Sequence, residues 1–245
     1  DVYKRQALED EIEIEFDGIP VSNRHWELSL EMCNSNGAEI VLNENSLIIK
    51  PWVLDLKPKI EIPKDASMAS FAMLAASCLD IPIDLIGWPK REDCVGHEVL
   101  FDISESLGIR WNNSTLTKFS DGNPVNVDIT NCNDIITPLS LMLALASGGR
   151  ISGALHTSFK ESNRLKSTKL LLDCFGMECD LLEDGLFVNG NQIPKNPDNL
   201  VKTFGDHRVF MSAYILGCFA GAIIDGNGLH KIADERFIER ISKLY

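Results

Sequence analysis

Lys160, Glu161 and Arg164 fall within five residues of "LHTSFKESNRLKSTKLLLDCFG", at the head of an amphipathic stretch of helical length. Two cations beside a carboxylate can hold an anionic ligand next to an acid/base group. Guanidinium forks onto carboxylates and phosphates, and a positioned carboxylate moves protons. A plainer reading is equally open. Ser158 and Glu161 fit an S-x-x-E capping box, in which each side chain satisfies an orphan N–H of a first helical turn. On such a helix Glu161 shares a flank with Leu165, Thr168, Leu172 and Phe175, at about 100° per residue. The two readings are compatible. Asp134 and Arg208 also open apolar stretches, "DIITPLSLMLALASGG" and the "DHRVFMSAYILGCFAG" that starts at Asp206. Asp134 is either an N-cap with Pro138 in the first turn, or a loop residue with Thr137 capping and Pro138 the first helical residue.

A repeat must position these residues. Three segments, at Asp65, Asp134 and Asp206, recur at a spacing of roughly 70 residues, and each is an Asp followed by an Ala-, Leu- or Met-rich helical stretch. Asp suits the positive end of a helix, and helices apolar nearly all round are expected to be buried. A β-type run follows each ("IPIDLIG", "RISGAL", "AIIDG"), then an amphipathic helix ("HEVLFDISESLG", "KESNRLKSTKLLLDCFG", "DERFIERISKLY"). Strands such as "IRWNN", "MECDLLED" and "LFVNG" close the first two units. Residues 21–50 read as a helix, "SNRHWELSLEMCNSNG", and a hairpin turning at Asn43 to Asn45. The Pro- and Lys-rich "KPWVLDLKPKIEIPK" is the expected boundary. The expectation is an α/β protein with a helix-and-hairpin half unit at 1–63 and three helix–strand–helix–strand–strand units at 64–245.

The bulk composition narrows the function classes. A formal charge of −13 argues against nucleic acid or an anionic membrane as the main partner, but not against a small anion held in a cleft. No apolar run reaches membrane-spanning length. Seven cysteines without a C-x-x-C predict free thiols and a cytoplasmic location. No metal-ligand spacing stands out, and the expected metal set is none. "DVYKRQ" fits no pattern that follows it, so the chain reads as a fragment whose residues 1–6 are of uncertain origin.

Five elements carry a family resemblance. They are Lys160-Glu161-Ser162-Asn163-Arg164, Asp206-His207-Arg208, Asp65-Ala66-Ser67-Met68-Ala69-Ser70, Asn133-Asp134-Ile135-Ile136 and Ser22-Asn23-Arg24-His25. In this order they resemble the K-E-[ST]-D-R, D-H-R, D-A-S-S-A-S, P-D-x-x and S-x-P-Y segments of the 5-enolpyruvylshikimate-3-phosphate synthases. The enolpyruvyl transferases acting on UDP-N-acetylglucosamine share the fold but carry F-E-N-R and D-L-R elements, so Lys160 and His207 favour the shikimate branch.

The resemblance implies an inside-out α/β fold of two lobes with a site between them, and no cofactor. It implies transfer of the enolpyruvyl group of phosphoenolpyruvate to the 5-hydroxyl of shikimate 3-phosphate. Glu161 is then the proton donor to the enol methylene, and Asp134 the base on the attacking hydroxyl. Arg164 and Arg208 clamp the phosphoenolpyruvate carboxylate. Lys160 contacts substrate or developing charge, Ser22 meets the 3-phosphate, and His25 stands where a stacking aromatic is usual. Lys231 holds the place of a last basic residue, without the K-[ST]-[FY]-P pattern that normally follows. His207 is a supporting neighbour or a plain capping residue, and Asp65 and Ser67 are expected to be structural. The family's K-S-x-x-x-R and S-S-Q elements are expected upstream, which implies little turnover by the fragment alone and a monomer at full length. The competing reading is a repeat scaffold in which Glu161, Arg164, Asp134 and Arg208 point in unrelated directions.

Overall fold

The computed structural model describes residues 9–18, 21–56, 59, 64–88 and 90–244. "DVYKRQ" lies outside them. The chain forms two compact units, Asp1–Pro63 and Lys64–Tyr245.

In the first unit, α1 (Asn23–Ser35) buries Leu30 and Cys33 against Leu47, Ile49 and Trp52. The hairpin forms as expected from β2 (Ile40–Leu42) and β3 (Ser46–Ile49), closed by Asn43 N–H donating to Ser46 C=O at 2.8 Å. A strand not expected from the sequence, β1 (Ile12–Glu15), pairs antiparallel with β3 in the register Ile12 to Ile49. Its alternation "IEIE" is the signal for a half-buried strand, and its observed pattern alternates half-buried and exposed residues. Phe16, beyond its end, meets Trp26 edge-on with ring centroids 5.6 Å apart.

The second unit is built on three buried helices: α2 (Ala69–Leu79), α4 (Ile136–Leu145) and α6 (His207–Ala220). Nine residues of α4 are buried, among them Leu139, Leu141 and Met142, so no polar flank exists on which it could lie at a surface. These helices pack against one another, and each fully buried Leu or Ile contributes roughly 1.5–3 kcal/mol relative to exposure.

In the first repeat, β4 (Ile83–Asp84), the short α3 (Val99–Ile103), β5 (Ile109–Asn112) and β6 (Thr115–Lys118) follow α2. Their antiparallel sheet has the order β4-β6-β5. In the second, β7 (Val125–Asp128) precedes α4, and β8 (Gly149–Ser152), α5 (Arg164–Cys174), β9 (Cys179–Leu181) and β10 (Leu186–Val188) follow it. That sheet has the order β7-β8-β10-β9. The third repeat has α6, a parallel bridge of Val201 to Ile224, and the five-residue α7 (Phe237–Ile241).

Two expectations need correction. The second repeat begins one strand earlier, with β7 running parallel to β8 across α4, and in the third repeat the expected strand at "AIIDG" is reduced to a single parallel bridge, Val201 to Ile224 across α6. A parallel pair needs such a crossover, and the helix supplies it. The stretch before α2 lies outside the described residues. The outer helices α3 and α7 are also shorter than their amphipathic patterns suggest.

Candidate active site

The mouths of α2, α4, α5 and α6 meet. Asp65 and Asp206 cap as expected, their Oδ1 atoms accepting from Ser67 N–H and Arg208 N–H at 2.9 Å. Asp134 does not cap. It lies within a 3₁₀ turn, Asn133–Ile135, ahead of α4, with its carboxylate turned to two guanidinium groups. Pro138 is third in α4, in the first turn, where a missing N–H is tolerated. Thr137 does not cap either, since its hydroxyl lies inside, 2.8 Å from that of Thr168 on α5.

The capping box of Ser158 and Glu161 does not form. Ser158 lies in a 3₁₀ turn, Leu155–Phe159, and Lys160 is extended. α5 starts at Arg164, with Asn163 Oδ1 accepting from Lys166 N–H at 3.1 Å. Asn is among the best N-caps, and this one displaces the Ser–Glu alternative that would begin five residues upstream. Glu161 therefore precedes the helix instead of lying on its buried flank, and its side chain is 46% exposed.

Arg164 is the centre of the cluster, at 1% exposure. Its Nε donates to Asp206 Oδ2 at 2.8 Å, its Nη1 to Asp134 Oδ1 at 2.7 Å, and its Nη2 to Glu161 Oε2. Ser162 Oγ also donates to Asp206 Oδ2, at 3.0 Å. Arg208 reaches the other oxygen of Asp134, with Nη2 to Oδ2 at 3.4 Å, and its Nη1 donates to Ser67 Oγ at 3.1 Å. His207 Nδ1 stands 3.8 Å from Glu161 Oε1.

The electrostatics follow from burial against pairing. Burial alone pushes Asp134 and Asp206 up, but the arginines outweigh it. Arg208 and Arg164 hold Asp134 below its ordinary value, and Arg164 holds Asp206 below. Burial pushes Arg164 down, and its carboxylates, Asp206 first, bring it above the usual range. Arg208 stays lowered by burial, which outweighs Asp134. His207 is lowered by burial and by the Arg208 charge, which favours its neutral form. Lys160 is exposed, yet near enough to help draw Asp134 down.

Asp134, Glu161, Arg164 and Arg208 are thus one cluster drawn from the second and third repeats, with Lys160 beside it. The unrelated directions expected of a scaffold are not found. Lys231 is exposed in a 3₁₀ turn, Leu229–Ile232, and among the described residues no hydrogen bond or ion pair joins it to the cluster. Ser22, left-handed at φ 58°, and the exposed His25 stand at the mouth of α1 in the other unit. Sequence reasoning passed over Asp206, Ser162 and Ser67 as components. The Asp206 carboxylate was accounted for as a cap, and a cap with a second oxygen to spare is the signal that could have found it. Among the described residues, no group of three or more His, Cys, Asp or Glu is gathered for a metal ion.

Comparison with known proteins gives the same direction. The family model for EPSP synthase (3-phosphoshikimate 1-carboxyvinyltransferase) matches residues 5–241. A 3-phosphoshikimate 1-carboxyvinyltransferase of Methanocorpusculum labreanum is 26% identical over 233 residues, covering 91% of this chain and 53% of its own. EPSP synthase from Acinetobacter baumannii superposes with a TM-score of 0.69 at 18% identity, over 96% of this chain and 57% of its own. The enolpyruvyl transferase NikO from Streptomyces tendae superposes with a TM-score of 0.71 at 17% identity, over 98% and 57%. These two share the enolpyruvyl transferase-like α/β fold with this chain. The chain spans about half the length of the curated relatives it matches. With the four motifs of the second unit meeting at one place and the match running through both units, the chain belongs to the EPSP synthase family.

Proposed function

We propose that this chain carries part of the active site of an enzyme that moves the enolpyruvyl group of phosphoenolpyruvate to the 5-hydroxyl of shikimate 3-phosphate, releasing phosphate. The observation that carries the reading is Asp134 bridging Arg164 and Arg208, at 2.7 and 3.4 Å, with Glu161 on the other terminal nitrogen of Arg164. Each guanidinium keeps N–H groups beyond those that hold it, and Arg208 Nε is buried without a partner. These donors suit the phosphoenolpyruvate carboxylate.

The chemistry divides among the same residues. Asp134 accepts the proton of the attacking 5-hydroxyl. Glu161 protonates the enol methylene, so that oxygen adds to the adjacent carbon and a tetrahedral adduct forms. Glu161 then takes a methyl proton back as the C–O bond to phosphate breaks. Lys160 supports the developing charge. Ser22, His25 and Lys231 are assigned to substrate on their motif positions. The cytoplasm is the proposed location, in keeping with seven cysteines present as free thiols, and a monomer the proposed state at full length. Among the described residues, no helix is long and apolar enough to cross a membrane.

The test is phosphate release by the complete gene product from phosphoenolpyruvate, with shikimate 3-phosphate or UDP-N-acetylglucosamine as acceptor. Turnover with the shikimate ester alone is the expected result. Turnover with the nucleotide sugar, or with neither, would overturn the assignment.

A further inference from the structure

We propose that Ser67, at the mouth of the first repeat, is a positioning residue for Arg208. Its hydroxyl fixes the guanidinium that the third repeat presents to an anionic ligand. The inference rests on reading Arg208 as an anion clamp.

Ser67 is 1% exposed and held at both ends of its backbone. Its N–H donates to Asp65 Oδ1 at 2.9 Å, and its C=O accepts from Ser70 Oγ at 2.6 Å. A side chain of one rotatable bond on so fixed a backbone places its oxygen closely. That oxygen accepts from Arg208 Nη1 at 3.1 Å, across 141 residues of sequence. With Asp134 Oδ2 at 3.4 Å from Nη2, the guanidinium plane is pinned at two points supplied by two other repeats. Its Nε is buried and has no partner among the described residues.

The choice of a hydroxyl matters. A carboxylate at this position would hold Arg208 more strongly, but it would also neutralise the charge that a ligand carboxylate needs. Asp134 already supplies one counter-charge. A neutral acceptor orients the guanidinium and leaves its charge in place, and preorganised charge in a site shielded from water acts more strongly than in bulk. All three repeats then contribute to the clamp, the first through Ser67 and the Asp65 carboxylate that holds it.

The experiment is a double-mutant cycle on the complete gene product with Ser67→Ala and Arg208→Lys. Ser67→Ala is expected to raise the KM for phosphoenolpyruvate about tenfold and to leave that for shikimate 3-phosphate unchanged. In the Arg208→Lys background the same change should alter it less than about twofold. A tenfold rise in both backgrounds would show that Ser67 acts through α2 packing, and would overturn the inference while leaving the clamp standing. If Arg208→Lys alone leaves the KM unchanged, the clamp reading falls and the inference with it. A second measurement needs only folded protein: NMR of the arginine side chains. Rotation of the Arg208 guanidinium should speed up in Ser67→Ala while that of Arg164 does not, and an unchanged Arg208 would overturn the assignment.

Discussion

Arg164 Nε donates to Asp206 Oδ2 at 2.8 Å, joining the second repeat to the third through an ion pair whose two side chains are 1% and 0% exposed. Charges withdrawn this far from water stabilise the fold only as a set. Removing one partner leaves the other desolvated and short of compensation. Asp206→Ala is therefore expected to lower the stability of the second unit by about 3 kcal/mol, although Asp134 and Glu161 still hold Arg164. Urea denaturation measures it, and a loss below about 1 kcal/mol would mean that the pair does not brace the fold.

Acid should act on the same residues. Asp134 and Asp206 have folded pKa values below their ordinary ones, so the unfolded chain binds more protons as the pH falls. The stability they confer is complete above the unfolded carboxylate value, about 3.9, and is lost as the pH falls towards their depressed folded values. His207, also lowered, withdraws stability earlier, as the pH falls through about 6.5, because the unfolded imidazole takes up a proton that the buried one resists. Thermal melts across this range should show both slopes, with the acid one shallower in Asp206→Asn.

Thr137 and Thr168 share a hydrogen bond of 2.8 Å between α4 and α5, both fully buried. Thr168→Val leaves one hydroxyl without its partner and should destabilise by about 1–3 kcal/mol. Thr137→Val with Thr168→Val removes both and should lie nearer the parent than either single variant. Chemical denaturation of the three variants decides it; a double variant as weak as the sum of the singles would refute the account.

Glu161 offers the opposite profile. Its side chain is 46% exposed, so the ion pair to Arg164 is screened, and Glu161→Gln should change stability by less than about 1 kcal/mol. Turnover by the complete gene product should nevertheless fall by about 10²–10⁴-fold, the usual loss when a proton-transfer group is removed. Stability and kcat measured on one preparation separate the two effects.

The repeat, the buried helices and the meeting of Asp134, Glu161, Arg164 and Arg208 were legible, because each rests on a local pattern: an Asp, an apolar run, a motif of fixed spacing. What escaped was decided by contacts distant in sequence. Nothing in "KESNR" says that Asn163 will outcompete Ser158 as the cap, since both fit the rule and the choice depends on where Arg164 finds its carboxylates. Ser67 looked structural because its partner lies 141 residues away. β7 was missed because "VNVD" is too short and polar to announce a strand until β8 lies beside it.

Apart from the last turns of α6, where Phe219 is exposed, the three central helices meet little solvent along their flanks, and the charged groups they carry lie at one end. Substitution along the barrels of these rods is policed by packing alone, whereas the tip residues answer as well to the molecules they greet. Scaffold and reactivity can then drift at separate rates, and a new specificity can be written at the tips without rebuilding the interior.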